Sequence, residues 1–173
     1  MKNIVLVGFM GTGKTVIARR LAEDTGMTYV STDDLIETRE GRTINSIFRE
    51  DGEPYFRALE KEVVKEVAVK AGQVIDAGGG VVLDGENVDN LKKGGVVICL
   101  WAEPGTIYDR TREYGHRPLL NVDDPKGRIR DILEKRKPFY RKADFHIDTT
   151  DLAIDQAVER IKEIVNETER KNG

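Results

Sequence analysis

The chain has 173 residues, with 28 Lys and Arg against 31 Asp and Glu for a net charge of −3, and 39% of its residues are hydrophobic. That length suits one domain with a sizeable core and leaves no room for a catalytic unit joined to a separate regulator. The mild acidic balance excludes the basic excess of a nucleic-acid binder, so the expected partner is a small molecule and not a nucleic acid.

The first predicted strand, residues 3–7, empties into Gly8-Phe9-Met10-Gly11-Thr12-Gly13-Lys14-Thr15, a GxxxxGK[ST] phosphate loop. Glycines there let the loop fold back with its N–H groups aimed at phosphate oxygens. Lys14 is placed to reach the β- and γ-phosphates, and the Thr15 hydroxyl to ligate Mg²⁺. A helix over 14–25 opens on the loop and turns its positive end to the same anion, so Gly11, Thr12, Gly13, Lys14, Thr15 and Val16 are the expected nucleotide contacts. The competing reading is an ordinary Gly-rich βα turn, and ATP against GTP stays open from the loop alone.

A second strand over 28–31 and a helix over 34–40 follow, then a helix over 54–70 and a strand over 73–77. The second strand runs into Ser31-Thr32-Asp33-Asp34, and the third into Asp76-Ala77-Gly78-Gly79-Gly80. Open α/β sheets place ligands at these carboxyl ends. A carboxylate such as Asp33 at a strand tip can accept a hydroxyl proton or orient a nucleophile, although it could instead cap the helix after it. Three consecutive glycines contribute nothing to a core and point to a molecule approaching the backbone. Asp34 is expected to face solvent at the helix start.

Further strands over 95–101 and 144–148 alternate with helices over 104–112, 125–136 and 152–168. This pattern implies a parallel sheet with helices on both faces, an α/β fold in three αβα layers. Ile154, Ala157, Val158, Ile161, Ile164 and Val165 recur at helical spacing and mark core, while the polar tail from Glu167 to Gly173 is expected to fray. The single cysteine, Cys99, lies within Val96-Val97-Ile98-Cys99-Leu100. It reads as a buried strand thiol, consistent with a reducing cytoplasm; neither a signal peptide nor a membrane span is read. Residues 112–124 break helical periodicity around Gly115 and Pro118 and read as a mobile lid. His116 within it reads as a bystander.

The phosphate loop, Asp33-x-x-Ile36-Glu37, Phe56-Arg57-x-x-Glu60, Gly78-Gly79-Gly80, Arg117-Pro118-Leu119-Leu120 and Arg136-x-Pro138-x-Tyr140 together resemble the shikimate kinases over nearly the whole chain. The resemblance implies an adenylate-kinase-like P-loop kinase fold with a five-stranded parallel sheet in order 2-3-1-4-5. It implies one kinase domain, residues 1–173, with a shikimate-binding segment at about 33–61 and the lid at about 112–124. It also implies a cytoplasmic, monomeric enzyme that moves the γ-phosphoryl of ATP, with Mg²⁺, to the 3-hydroxyl of shikimate.

Lys14, Asp33 and Arg117 would then be catalytic, with Arg117 the cation over the transferring group. Arg110 would lie near the adenine, and Thr149 and Thr150 would close over the base through backbone contacts. Arg57 and Arg136 suit the substrate carboxylate, because guanidinium forks bind it bidentately. Gly78, Gly79 and Gly80 would supply backbone contacts, and Glu60 would either hold Arg57 in place or form an exposed ion pair with it. One departure stands out: shikimate kinases usually carry DTD or DSD after the second strand, where this chain has Ser31-Thr32-Asp33. Ser31 can still reach a metal-bound water but brings no charge, and Asp76 is the candidate to replace it. Two other readings remain at this stage: a kinase of the same fold acting on a substrate such as a nucleoside monophosphate or gluconate, and a nucleotide-binding regulator without transfer activity.

Overall fold

A computed structural model of the chain describes residues 2–112 and 122–172. Five parallel strands form the sheet: β1 (Asn3–Val7), β2 (Thr28–Ser31), β3 (Gln73–Asp76), β4 (Gly95–Trp101) and β5 (Phe145–Asp148), in the order β2-β3-β1-β4-β5. Strand side chains alternate in direction, so each strand feeds two cores. Val5, Val7, Ile75, Val97 and Cys99 point to one face; Ile4, Leu6, Val74, Ile98 and Leu100 point to the other.

The second face is covered by α1 (Lys14–Thr25) and α8 (Ile154–Asn172), through Ile17, Leu21, Ala157, Val158 and Ile161. The first is covered mainly by α4 (Gly52–Ala68), α5 (Gly85–Gly94), α6 (Pro104–Thr111) and α7 (Pro125–Tyr140), joined by α2 (Thr32–Glu40) and α3 (Ile44–Glu50). These are the three layers and the strand order that the resemblance implies. Cys99 is buried, and burial pushes its thiol up to about 12, which leaves it chemically quiet. Among the described residues no helix is long and apolar enough to cross a membrane.

Several local expectations are corrected. Helices α3 and α5 are additional, opened by the side chains of Thr43 and Asp84, which accept from Ser46 N and Glu86 N. Helix α7 continues beyond residue 136 to Tyr140 through Pro138, where one lost backbone bond near the helix end is tolerable. Helix α8 runs to Asn172 instead of fraying from Glu167, with Arg170 and Lys171 set favourably against the dipole at its last turn. Helix α2 starts at Thr32, and its cap is Ser31, whose hydroxyl accepts from Asp34 N at 3.1 Å. Asp33 is therefore in the first turn and is not the cap. Asp34 is exposed, as expected. Most of the predicted lid, with His116 and Arg117, lies outside the described residues.

Candidate active site

The carboxyl ends of β1, β2 and β3 open into a cleft of about 1810 Å³. A single small-molecule pocket occupies roughly 300–1,000 Å³, so there is room for two substrates side by side. The phosphate loop forms one wall. Gly8 has φ 142°, and a side chain there would strike the Leu100 carbonyl; Gly13 has φ 94° where the loop enters α1. Both conformations suit glycine and would strain other residues. Lys14 Nζ donates to the carbonyls of Gly8 at 2.8 Å and Phe9 at 3.0 Å, so its ammonium is folded over the loop.

Thr15 stands where α1 begins, and its hydroxyl donates to Asp76 Oδ2 at 2.6 Å. Asp76 ends β3 directly opposite Ser31 of β2. The Tyr29 hydroxyl reaches the same Oδ2 at 3.2 Å. Burial, then the Asp76 charge, raises the Tyr29 phenol above its ordinary value, so it remains a donor. Among the described residues no cluster of three or more His, Cys, Asp or Glu forms a protein metal cage. Mg²⁺ does not need one: it keeps several waters and binds through one or two hard oxygen ligands plus substrate phosphates. A hydroxyl and a carboxylate meeting at the loop fit that ion. Ser31 fits less well, because it is uncharged and its hydroxyl already accepts one bond in capping α2.

Across the cleft sit Asp33, Arg57, Glu60 and Arg136. Asp33 is largely buried, and its carboxyl is raised to about 6, first by desolvation and next by the Glu60 charge. Its Oδ1 accepts no hydrogen bond from the described residues, and neither does Oε2 of Glu60. A Cβ added to Gly78 would lie 2.8 Å from the first of these oxygens and 3.1 Å from the second, so the two converge over that glycine. Such orphaned buried acceptors suit a ligand that brings hydroxyl donors.

Arg57 donates to Glu60 Oε1 at 2.8 Å and to Glu53 Oε1 at 3.2 Å. Glu60 is only 1% exposed, which settles the two readings of that pair: it is the buried partner that fixes Arg57. Burial is also the largest cause raising the Glu60 carboxyl, against the lowering influence of Arg57. Arg136 Nη1 reaches the Gly79 carbonyl at 3.3 Å, and the Tyr140 hydroxyl donates to the same oxygen at 2.6 Å. The glycine run thus has a local reason as well as a ligand-facing one. A side chain at Gly80 would collide with the Arg57 guanidinium, and one at Gly78 with Asp33.

Beside the phosphate loop, Arg110 spans two segments. Its Nη1 donates to the Gly11 carbonyl at 3.2 Å and its Nη2 to the Thr149 carbonyl at 2.7 Å. Thr149 in turn donates from Oγ1 toward the Thr12 carbonyl at 2.9 Å. Arg110 is therefore no solvated surface side chain. Thr150 lies beside it, its hydroxyl donating to Asp148 Oδ1 at 2.6 Å. Val16 and Ile154 are the exposed apolar groups at this end.

Sequence reasoning brought Lys14, Thr15, Asp33, Arg57, Asp76, Gly78, Gly79, Gly80, Arg110, Arg136 and Thr150 to this cleft, and all of them line it or border it. Thr149, named with Thr150, lines it too; Tyr29 was given no role, and Tyr140 only its place in a motif. Tyr140 was within reach through the RxPxY motif, whereas Tyr29 carries no local signal.

A family model described as shikimate kinase matches residues 10–166. A shikimate kinase of Thermodesulfovibrio yellowstonii is 47% identical over 161 residues, covering 93% of each chain. One from Caldanaerobacter subterraneus subsp. tengcongensis is 45% identical over 161 residues, covering 93% of this chain and 94% of its own. The solved shikimate kinase of Acinetobacter baumannii, in complex with shikimate, superimposes with a TM-score of 0.91 at 36% identity, covering 97% of this chain and 94% of that one.

Proposed function

The chain belongs to the shikimate kinase family, and from that premise we propose that it moves the γ-phosphoryl group of ATP to the 3-hydroxyl of shikimate, with the work divided across the cleft as follows. The phosphate loop amides and Lys14 hold the triphosphate, while Thr15 and Asp76 are the residues that would hold the metal. Bound Mg²⁺ would neutralise charge on the phosphate oxygens. Asp33 accepts a hydrogen bond from the reacting hydroxyl and takes its proton as that oxygen bonds to the γ-phosphorus; the bond from phosphorus to the β,γ-bridging oxygen breaks and ADP departs. Arg57 and Arg136 receive the shikimate carboxylate, which fixes the ring so that one hydroxyl meets Asp33. Arg110, Thr149 and Thr150 border the base. A single chain suffices for this site, and the inert Cys99 suits a reducing cytoplasm.

The observation that carries the reading is Asp33: a carboxylate whose buried Oδ1 accepts nothing from the described residues and converges with Glu60 Oε2 over Gly78, in the cleft that the phosphate loop walls. ADP release from Mg·ATP is the direct test, with shikimate, AMP, gluconate or no acceptor at matched concentrations. Release with shikimate alone is expected; release only with AMP or gluconate would overturn the substrate.

The packing of Gly80 adds a second expected result. Gly80→Ala must displace the Arg57 guanidinium, which disturbs its bond to Glu60 as well as its place in the cleft, so some loss of stability should accompany it. The KM for shikimate should rise about tenfold, since a lost charge-assisted bond is worth about 1.5 kcal/mol. The affinity for ADP should not change, and equal loss at both sites would place the disturbance elsewhere.

A further inference from the structure

We infer that Tyr29 is a positioning residue for the metal-facing carboxylate: its phenol, with the Thr15 hydroxyl, holds Asp76 Oδ2 so that the other carboxylate oxygen meets the hydration shell of the nucleotide-bound cation. The inference rests on the assignment of Asp76 to the metal and deepens it.

Three segments contribute. Thr15 comes from α1, Tyr29 from β2 and Asp76 from β3, and the sheet register brings them together. Ser31 is opposite Asp76 and Tyr29 opposite Val74. Residues two apart on a strand share a face, so Tyr29 and Ser31 both project to the side that α1 covers, and the long phenol reaches forward along that side to Asp76. Its ring packs against the core under α1, and the Arg19 guanidinium sits 4.8 Å from the ring centroid. Arg19 follows Thr15 by one helical turn, so α1 supplies both a donor to the carboxylate and a lid over the tyrosine.

Both donors fall on one oxygen, Thr15 at 2.6 Å and Tyr29 at 3.2 Å. A carboxylate held by one oxygen from two directions cannot rotate freely about its last bond. This matters more here than in a site with a second carboxylate, because the facing position on β2 is the uncharged Ser31 and its hydroxyl caps α2. One carboxylate must serve, and its orientation is correspondingly valuable. Ligand-orienting groups of this kind typically change metal affinity by about 10–100-fold when removed.

The probe is Mn²⁺ in the presence of ADP, followed by electron paramagnetic resonance on the full chain. Tyr29→Phe keeps the ring and its Arg19 contact while deleting the donor. It should weaken Mn²⁺ binding to the ADP complex by about tenfold, the lower end for such groups. ADP affinity measured in EDTA should stay at the wild-type value. Asp76→Asn, run beside it, should weaken Mn²⁺ at least as much. If Asp76→Asn weakens Mn²⁺ and Tyr29→Phe does not, Tyr29 has no positioning role. If Asp76→Asn itself leaves Mn²⁺ unchanged, the metal assignment of Asp76 fails first and the role of Tyr29 falls with it. Loss of ADP affinity by Tyr29→Phe equally with and without metal would show a packing role and overturn the inference.

Discussion

Replacing Asp33 with Asn should make the protein more stable above pH 6 while slowing phosphoryl transfer by about 10²–10⁴-fold. The two effects share one cause. Asp33 has a folded-state pKa of about 6 against 3.8 for an unperturbed side chain, because burial and then the Glu60 charge disfavour its ionised form. The folded protein therefore binds more protons than the unfolded chain between about pH 4 and pH 6, and stability falls as pH rises through that window. Keeping the carboxylate ionised at pH 8 costs about 3 kcal/mol, and the neutral amide should recover about 1–3 kcal/mol of it. Thermal unfolding should show Asp33→Asn melting about 2–12 °C above the wild type at pH 8. The gap should close toward pH 4, where the wild-type side chain is neutral in both states. In the wild type, kcat/KM should fall as pH drops below about 6, the free-enzyme pKa of the proton acceptor. An equal melting difference at pH 4 and pH 8 would mean that Asp33 carries no buried charge.

Arg57→Ala should weaken shikimate binding by about 2–4 kcal/mol, or roughly 30- to 1,000-fold, and also destabilise the fold. The second loss arises from Glu60. That carboxylate is 1% exposed, its Oε1 accepts from Arg57, and its Oε2 accepts nothing from the described residues. Removing the arginine leaves a buried charge without its partner, which costs about 3 kcal/mol. Arg57→Lys separates the effects: an ammonium can still compensate Glu60, but it cannot fork a carboxylate. Calorimetric titration with shikimate and denaturant unfolding should therefore rank the lysine variant near the wild type in stability and near the alanine variant in binding. The idea that Arg57 holds the substrate carboxylate would not survive unchanged shikimate affinity in both variants.

The alternation of strand and helix was legible in the sequence because the inner strands are short apolar runs, as in Asn3–Val7 and Gly95–Trp101, while the outer strands β2 and β5 are more polar and exposed. Helices α3 and α5 were not, for a common reason. Each is short and mostly polar, and they bury only Ile47 in one case and Asn87, Val88 and Leu91 in the other, too few positions to show a helical period. The phosphate loop announces its own conformation through its glycines. Asp33 could be placed at a strand tip, but its burial beside Glu60 depends on how α4 packs against α2, which no local pattern encodes. Tyr29 was the least legible of the site residues. What distinguishes it is a bond to a residue 47 positions away, made possible only by the register of β2 on β3. Ser31 shows the reverse: the sequence marked it as a missing charge, and the structure gives its hydroxyl another occupation at the start of α2.

The bonds from Arg110 and Thr149 to the phosphate loop also impose an order on assembly. Gly11 and Thr12 are made early in synthesis, yet their carbonyls wait for partners 99 and 137 residues further along the chain. Strand β1 has neighbours on both sides in the finished sheet, and β4 must be in place before β5 can dock and carry Thr149 to the loop. A nascent chain can therefore build the β2-β3-β1 half of the sheet while the loop still lacks those anchors. Closing such distant contacts is entropically late, so the nucleotide end of the cleft matures last. The loop of residues 8–15 thus precedes its own ties to the far half of the sheet, which come only when nearly all of the fold is made.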